Sequence, residues 1–164
     1  MANLLVLGLV KFLHDLFTAT WIGGLFTLAI VVLPSVKNTL GMNPESKKLI
    51  MAIRKRLNGI VWISIIGLLV TGILLSNSSP LFGGLFSISN EYSILLTAKH
   101  IVIALMVIIV IMRGHILPRM TNTPPQKIEK ISKVLMMLNL VFGIVVLLLS
   151  GFTAAVGIIE QATP

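Results

Sequence analysis

The sequence has no cysteine, only 5 acidic residues and 6% aromatic residues in a chain of 164. Without cysteine, the chain forms no disulfide, holds no thiolate-bound iron–sulfur cluster and attaches no c-type haem. Charged residues make up only 11% of the chain, whereas 56% are hydrophobic and the mean hydropathy is +1.03. A water-soluble domain of this length needs far more polar surface, so the composition predicts an integral membrane protein.

Four apolar runs reach the length of about 20 residues that a helix needs to cross the hydrocarbon core. We therefore predict an all-α protein with four transmembrane helices in an antiparallel bundle, forming one domain over residues 1–164. The predicted spans are about 4–33, 57–76, 94–113 and 134–158. Pro34 is predicted to end the first helix, because proline lacks an N–H group and clashes with the preceding turn. Asn43-Pro44-Glu45 is predicted to start a short basic amphipathic segment at the membrane surface.

The basic residues predict the orientation of these helices. Eleven of the 13 lie in the connections between spans one and two and between spans three and four: Lys37, Lys47, Lys48, Arg54, Lys55, Arg56, Arg113, Arg119, Lys127, Lys130 and Lys133. Loops rich in Lys and Arg remain cytoplasmic, so both termini of this cell-membrane protein are predicted to be extracytoplasmic. The basic loops are expected to contact anionic lipid and not nucleic acid. The sequence leaves open whether the protein forms a homo-oligomer or belongs to a larger membrane complex.

A cluster of polar residues interrupts the apolar first span. His14 and Trp21 are seven residues apart, so they lie on one face of a helix two turns from each other. Gly23 and Gly24 follow, where a neighbouring helix or a flat ligand can approach closely. Ionisable groups inside a membrane are costly and usually face a bundle interior, a cavity or a cofactor. We therefore interpret this stretch as one side of a functional site.

The third span carries a second histidine, His100, preceded by Lys99. His14 and His100 are predicted at comparable depths on different helices, which is the arrangement that binds b-type haem through both axial positions. Imidazole suits copper equally well, so copper is the alternative ligand. In this interpretation Trp21 and Lys99 also face the cofactor. A structural role is open for each histidine, with the ring bonded to a carbonyl, Ser or Thr. His115 is predicted to be solvated at the opposite boundary.

Small and polar residues form stripes on the second and fourth spans. They comprise Ser64, Gly67, Thr71 and Gly72 on the second, and Asn139, Gly143, Val146, Ser150, Thr153 and Gly157 on the fourth. Such stripes are typical of faces at which membrane helices pack, and they also leave room for a planar cofactor. Met106, Met112, Met136 and Met137 are interpreted as core filler, with a path for Cu(I) as the alternative.

The chain resembles the membrane domain of the CopD family of copper-resistance proteins. The similarity rests on His14 followed by Trp21-Ile22-Gly23-Gly24, on Leu95-Leu96-Thr97-Ala98-Lys99, and on Arg113-Gly114-His115-Ile116-Leu117-Pro118-Arg119. The first helix, through Leu33-Pro34, is also similar to HemJ-type protoporphyrinogen oxidases. It departs from that second pattern in having two glycines and in having Pro34-Ser35. Both resemblances imply functional roles for His14 and Lys99, and neither implies one for His100.

Three functions follow from these observations. The first is a membrane protein that holds haem b near its outer face for electron transfer or redox chemistry. The second is copper transport or uptake, and the third is a non-catalytic subunit of a larger membrane complex. A soluble-type hydrolase is disfavoured, because the few polar residues provide no set of nucleophile, base and orienting group.

Overall fold

The computed structural model describes residues 2–41, 43–79, 81–84, 86–121 and 123–162. Five α-helices account for most of these residues: α1 (Ala2–Phe26), α2 (Leu33–Leu40), α3 (Pro44–Asn77), α4 (Glu91–Ile111) and α5 (Pro125–Ala162). A π-helical segment, Thr27–Val32, joins α1 to α2. A second π-helical segment, Met112–Ile116, follows α4 and leads into a 3-10 turn at Leu117–Arg119. The described residues contain no strand.

Four helical runs are long and apolar enough to cross a membrane, which confirms the prediction of four spans. They are Leu4–Leu40, Pro44–Asn77, Glu91–Arg119 and Pro125–Glu160. Each predicted span lies within one of these runs, and each run continues beyond the predicted ends. Hydropathy marks only the part of a helix that lies in hydrocarbon, whereas the helix itself continues into the interface as long as its backbone stays hydrogen-bonded.

The prediction that Pro34 ends the first helix is wrong, because the chain remains helical to Leu40. The π-helical segment lies directly before Leu33-Pro34, and the N–H of Leu33 donates to the carbonyl of Leu28, five residues earlier. A proline disturbs the hydrogen bonds and the space of the turn before it, and a wider π-helical turn accommodates that disturbance. Pro34 then occupies the first turn of α2, where an N–H group is not needed.

The segment that begins at Asn43 is also longer than predicted. Asn43 marks a helix start as expected, since its Oδ1 accepts from the N–H of Ser46 at 2.7 Å. The helix is not a short surface segment, however, because α3 continues without a break from Pro44 to Asn77. Gly41, with a φ of 67°, makes the turn between α2 and α3 possible.

The chain divides into two compact units, Met1–Leu75 (unit 1) and Ser76–Pro164 (unit 2). In unit 1, α1 lies along α3. Successive positions of α1 contact earlier positions of α3: His14 meets Thr71, and Gly24 lies near Leu57. This order of contacts is that of two helices running in opposite directions.

In unit 2, α4 packs against α5. The ring of Tyr92, near the start of α4, lies beside Gly157, near the end of α5, so this pair also runs in opposite directions. The buried residues of the two helices include most of the stripe predicted on the fourth span: Ser93, Leu96, Met106, Ile109 and Val110 on α4, and Met136, Asn139, Leu140, Gly143, Val146 and Thr153 on α5. The antiparallel arrangement of all four spans and the location of the termini stay predictions.

Candidate functional site

A polar contact between two spans joins α1 to α3 in unit 1. Nδ1 of His14 lies 2.9 Å from Oγ1 of Thr71, across 57 residues of sequence. The hydroxyl of Thr71 also lies 2.7 Å from the backbone carbonyl of Gly67, one turn earlier in α3. A hydroxyl carries one proton, and a carbonyl oxygen can only accept. The hydroxyl proton therefore goes to Gly67, and Oγ1 of Thr71 accepts from the N–H at Nδ1 of His14.

These two hydrogen bonds, from His14 to Thr71 and from Thr71 to Gly67, form a relay that indicates the tautomer of His14. A neutral imidazole carries its proton on one ring nitrogen and a lone pair on the other. With the proton held at Nδ1 by Thr71, the lone pair is at Nε2. Imidazoles that bind metals typically donate through one nitrogen to an oriented acceptor and ligate through the other. The bond from His14 to Thr71 is compatible with a metal-binding imidazole and is equally the bond expected of a structural histidine.

Glycines of α3 make room for the side chains of α1 around this relay. A Cβ atom at Gly67 would overlap the ring of Phe17, so the ring fits only because the residue is glycine. A Cβ at Gly72 would lie 3.6 Å from Cε1 of His14, which is ordinary van der Waals contact. Thr18 donates to the backbone carbonyl of His14 at 2.9 Å, and it adds no contact to the ring. Two glycines of the stripe predicted on the second span therefore make room for the side chains of Phe17 and His14 on the first.

Lys11 and Asp15 form an ion pair one turn apart on α1, with Nζ 2.6 Å from the carboxylate. Their side chains are 60% and 59% exposed, so the pair lies on the outside of the helix. An exposed pair of this kind stabilises a helix only slightly. Asp15 thus has Lys11 as its partner.

Trp21 is buried, with 2% of its surface exposed. Its indole Nε1 makes no hydrogen bond within the described residues. The two glycines that follow differ in surroundings: a Cβ at Gly24 would lie 3.8 Å from Leu57, whereas a Cβ at Gly23 would have no neighbour within 4 Å. Only Gly24 faces a neighbouring helix in the way that the sequence predicted for both.

His100 and Lys99 lie in unit 2, in the first half of α4. The His100 ring lies against the backbone of Leu96, one turn earlier. Its Nδ1 is buried, and no hydrogen bond of normal geometry reaches that atom within the described part of the chain. A backbone group is thus the polar neighbour of the His100 ring, whereas His14 has a side-chain hydroxyl.

Asn139 is the other polar side chain that stands out in unit 2. It is fully buried in the middle of α5, and neither its amide oxygen nor its amide nitrogen has a hydrogen-bond partner among the described residues. A buried amide without partners costs free energy, so it usually indicates a water, an ion or a functional role. The sequence placed Asn139 in a packing stripe and assigned it no other role.

His115 lies in the π-helical segment Met112–Ile116 and is exposed. This agrees with its predicted place outside the site. Among the described residues, no group of three or more His, Cys, Asp or Glu side chains is placed to hold a metal ion. A site built from such a group is therefore not seen, and any metal would be held by fewer of these ligands together with other donors.

The predicted site residues fall into both units. His14 and Trp21 belong to unit 1, and Lys99 and His100 belong to unit 2, so the ligand shared by the two histidines stays a prediction. The residue that sequence reasoning missed is Thr71, which was assigned to packing alone. Its signal was available, since a Thr in an otherwise apolar span needs a partner and His14 is a donor in the neighbouring span.

These features define a class, a multi-pass membrane protein with polar side chains inside its spans. The chain belongs to the CopD family, because the family model for copper resistance protein D matches residues 51–153. The match includes α4 with Lys99 and His100, and it does not include α1 with His14 and Trp21. No curated protein and no solved structure matches the chain. The protein is accordingly a membrane protein linked to copper resistance.

Proposed function

We propose that this protein binds copper within the membrane as cargo and moves it across or into the bilayer, with Nε2 of His14 as a ligand. The observation that carries the proposal is the relay from His14 through Thr71 to the carbonyl of Gly67. It holds the proton at Nδ1 and presents the lone pair of Nε2. A neutral imidazole with its other nitrogen held in this way is the form that a metal ion requires.

Family membership and composition favour copper as the ion. Family membership links the chain to copper resistance. Imidazole and thioether groups are suitable ligands for copper, and the chain has 8 methionines and no cysteine. Haem b, which the sequence favoured slightly, uses the same imidazole nitrogen but has no comparable support from the family. One sample can distinguish the two ligands, because haem has a Soret absorption band and bound copper alone does not.

Thr71 acts in this proposal as a positioning residue. Without its hydroxyl, the Nδ1 proton of His14 has no acceptor, so the ring is free to rotate or to change tautomer. Loss of such an outer partner typically weakens metal binding about 10- to 100-fold. Thr71→Val should therefore weaken binding while keeping the shape of the side chain, and Thr71→Ser should retain most of the affinity.

The test is Cu(I) binding to the purified protein in nanodiscs, measured by competition with a chromophoric chelator under a reductant. Wild type should bind copper, and His14→Ala should lose that binding. Absorption spectra of the same samples report any Soret band. Reconstituted vesicles then show whether bound copper crosses the membrane.

Two matched variants separate a local effect from general damage. Thr153→Val is the control for Thr71→Val, because Thr153 is equally buried and also donates to a carbonyl one turn earlier, that of Leu149. His115→Ala is the control for His14→Ala. If His14→Ala binds copper as tightly as wild type does, His14 is not the ligand. If wild type binds no copper, the proposed function fails.

A further inference from the structure

The connection between α3 and α4 contains a compact loop that is held together by its own polar groups. We call residues 81–90 the strap; Leu85 lies outside the described residues. Oγ of Ser87 lies 2.9 Å from Oγ of Ser89. A Cβ atom at Gly83 would approach these same two oxygens to 2.6 and 2.7 Å, so the strap can coil this tightly only with glycine there. Gly84 has a φ of 122°, which also favours glycine.

Side chains of α4 and its cap hold the strap down. Thr97 donates to the carbonyl of Ser87 at 2.9 Å. The carbonyl of Leu81 accepts from Asn90 at 3.2 Å and from Ser93 at 3.3 Å. Ser93 is fully buried beneath the strap. The strap is thus fastened to the first two turns of α4 and does not extend away from them.

The strap has an inverted distribution of polarity. Its hydroxyl and amide groups bond to one another and to α4, whereas Phe86 and Ile88 are 73% and 77% exposed. In water such a loop would normally expose the serines and bury the large apolar side chains. In a bilayer the opposite is required, because irregular backbone is tolerated there only if its polar groups are satisfied internally.

The depth of α4 brings the strap to the edge of the hydrocarbon core. The run Glu91–Arg119 ends in a basic segment that begins at Arg113, and basic residues of this kind lie at the interface. Counting back about 20 residues, the length that crosses the core, reaches Ser93. Thr97 is one turn further in. Because Thr97 is hydrogen-bonded to the carbonyl of Ser87, the strap lies at this boundary. Phe86 and Ile88 are next to Ser87 in the sequence, so they lie at the same depth.

We propose that the strap is seated in the membrane, with Phe86 and Ile88 inserted among lipid acyl chains and Thr97 as its anchor. The apolar side chains then contact the surroundings for which they are suited, and hydrogen bonds within the strap and to α4 satisfy its side-chain hydroxyl and amide groups. The inference does not depend on copper binding.

The absence of cysteine makes the test direct, since single cysteines can be introduced without a background. Phe86→Cys and Ile88→Cys would each carry a nitroxide label in protein reconstituted into lipid vesicles. Electron paramagnetic resonance then compares collisions of the label with oxygen, which is enriched in lipid, and with a water-soluble nickel chelate. Both labels should be accessible to oxygen and protected from nickel. Lys127→Cys provides the water-exposed reference.

Two results would overturn the proposal. Nickel accessibility at Phe86→Cys and Ile88→Cys equal to that of the reference would place the strap in water. Protection from both oxygen and nickel would place it against protein, as in a second copy of the chain. The anchor is tested by adding Thr97→Val, which should raise nickel accessibility at both labels, while Thr97→Ser should not. Unchanged accessibility with Thr97→Val would show that Thr97 does not anchor the strap.

Discussion

In both units the first helical run contains a π-helical turn that ends at a Leu-Pro pair. The N–H of Leu33 donates to Leu28 in unit 1, and the N–H of Leu117 donates to Met112 in unit 2, each five residues back. In both, the chain then turns into a long helix that begins at a proline, with basic residues in the helical segments on either side of the turn. That helix carries a buried threonine bonded to its own backbone. The two units therefore share a plan that residue identity alone did not reveal.

The units differ in the hydrogen-bond partners of their polar side chains. In unit 1, Nδ1 of His14 has Thr71 as its acceptor. In unit 2, Nδ1 of His100 and both amide atoms of Asn139 are buried without a hydrogen-bond partner among the described residues. Unit 1 therefore has an imidazole that is oriented by a neighbouring side chain, together with the unbonded indole N–H of Trp21, whereas no such pairing of side chains is seen for His100 and Asn139 among the described residues of unit 2. The comparison suggests different roles for two similar hairpins.

The strongest test of the shared plan is topology, because the outcome is all or none. If each unit is a helical hairpin, both basic connections lie on one side of the membrane. Lys48→Cys and Lys127→Cys should then be labelled by an impermeant thiol reagent only after the cells are permeabilised. Asn77→Cys, at the exposed end of α3 and outside the strap, should be labelled in intact cells. Different behaviour of Lys48→Cys and Lys127→Cys would refute the shared plan.

The next largest effect is expected at Gly67 in unit 1. An added Cβ would overlap the ring of Phe17, so Gly67→Ala should destabilise the protein by about 1–3 kcal/mol, as overpacking does. Thermal unfolding in detergent measures this change. Gly59→Ala is the control, because Gly59 lies on the same helix with nothing near its Cβ position. Phe17→Leu should restore stability in the Gly67→Ala background, and a failure to do so would mean that the two residues do not interact.

A similar contrast is expected within α5 of unit 2. Gly143 is buried and Gly151 is exposed, so Gly143→Leu should lower the unfolding temperature and Gly151→Leu should leave it nearly unchanged. Equal stability of the two variants would mean that the predicted packing stripe does not pack.

The smallest changes in unfolding temperature are expected when the polar groups themselves are replaced. The direction of the change should differ between the two units. Thr71→Val removes the acceptor of the part-buried N–H at Nδ1 of His14, so it should lower the unfolding temperature. Asn139→Leu removes a buried amide that has no partner, so it should leave the unfolding temperature unchanged or raise it. A clear loss of stability in Asn139→Leu would show that its amide is hydrogen-bonded or binds an ion in the protein.

Hydropathy predicted the membrane class and the number of spans, and short motifs indicated the family, because these depend on composition and local pattern. The continuation of the first helix through Pro34 was not predictable in the same way, because it depends on a π-helical turn in an ordinary run of apolar residues, Thr27–Val32. The sequence indicated that His14 and Thr71 each need a polar partner, but it did not determine that they bond to each other. Their bond requires a particular rotation and offset of two helices, and helical periodicity in one segment does not determine its register against another.

The π-helical turn before Pro34 also has a mechanical consequence for the histidine above it. A π-helical turn contains more residues than an α-helical turn, so it shifts the angular phase of everything that precedes it. Each residue of an α-helix adds about 100° of rotation. Wound as an ordinary α-helix, Thr27–Val32 would turn α1 by roughly that angle relative to α2, and the ring of His14 would point away from Thr71. The direction of the imidazole is thus set some three turns away, by the π-helical winding of an apolar segment.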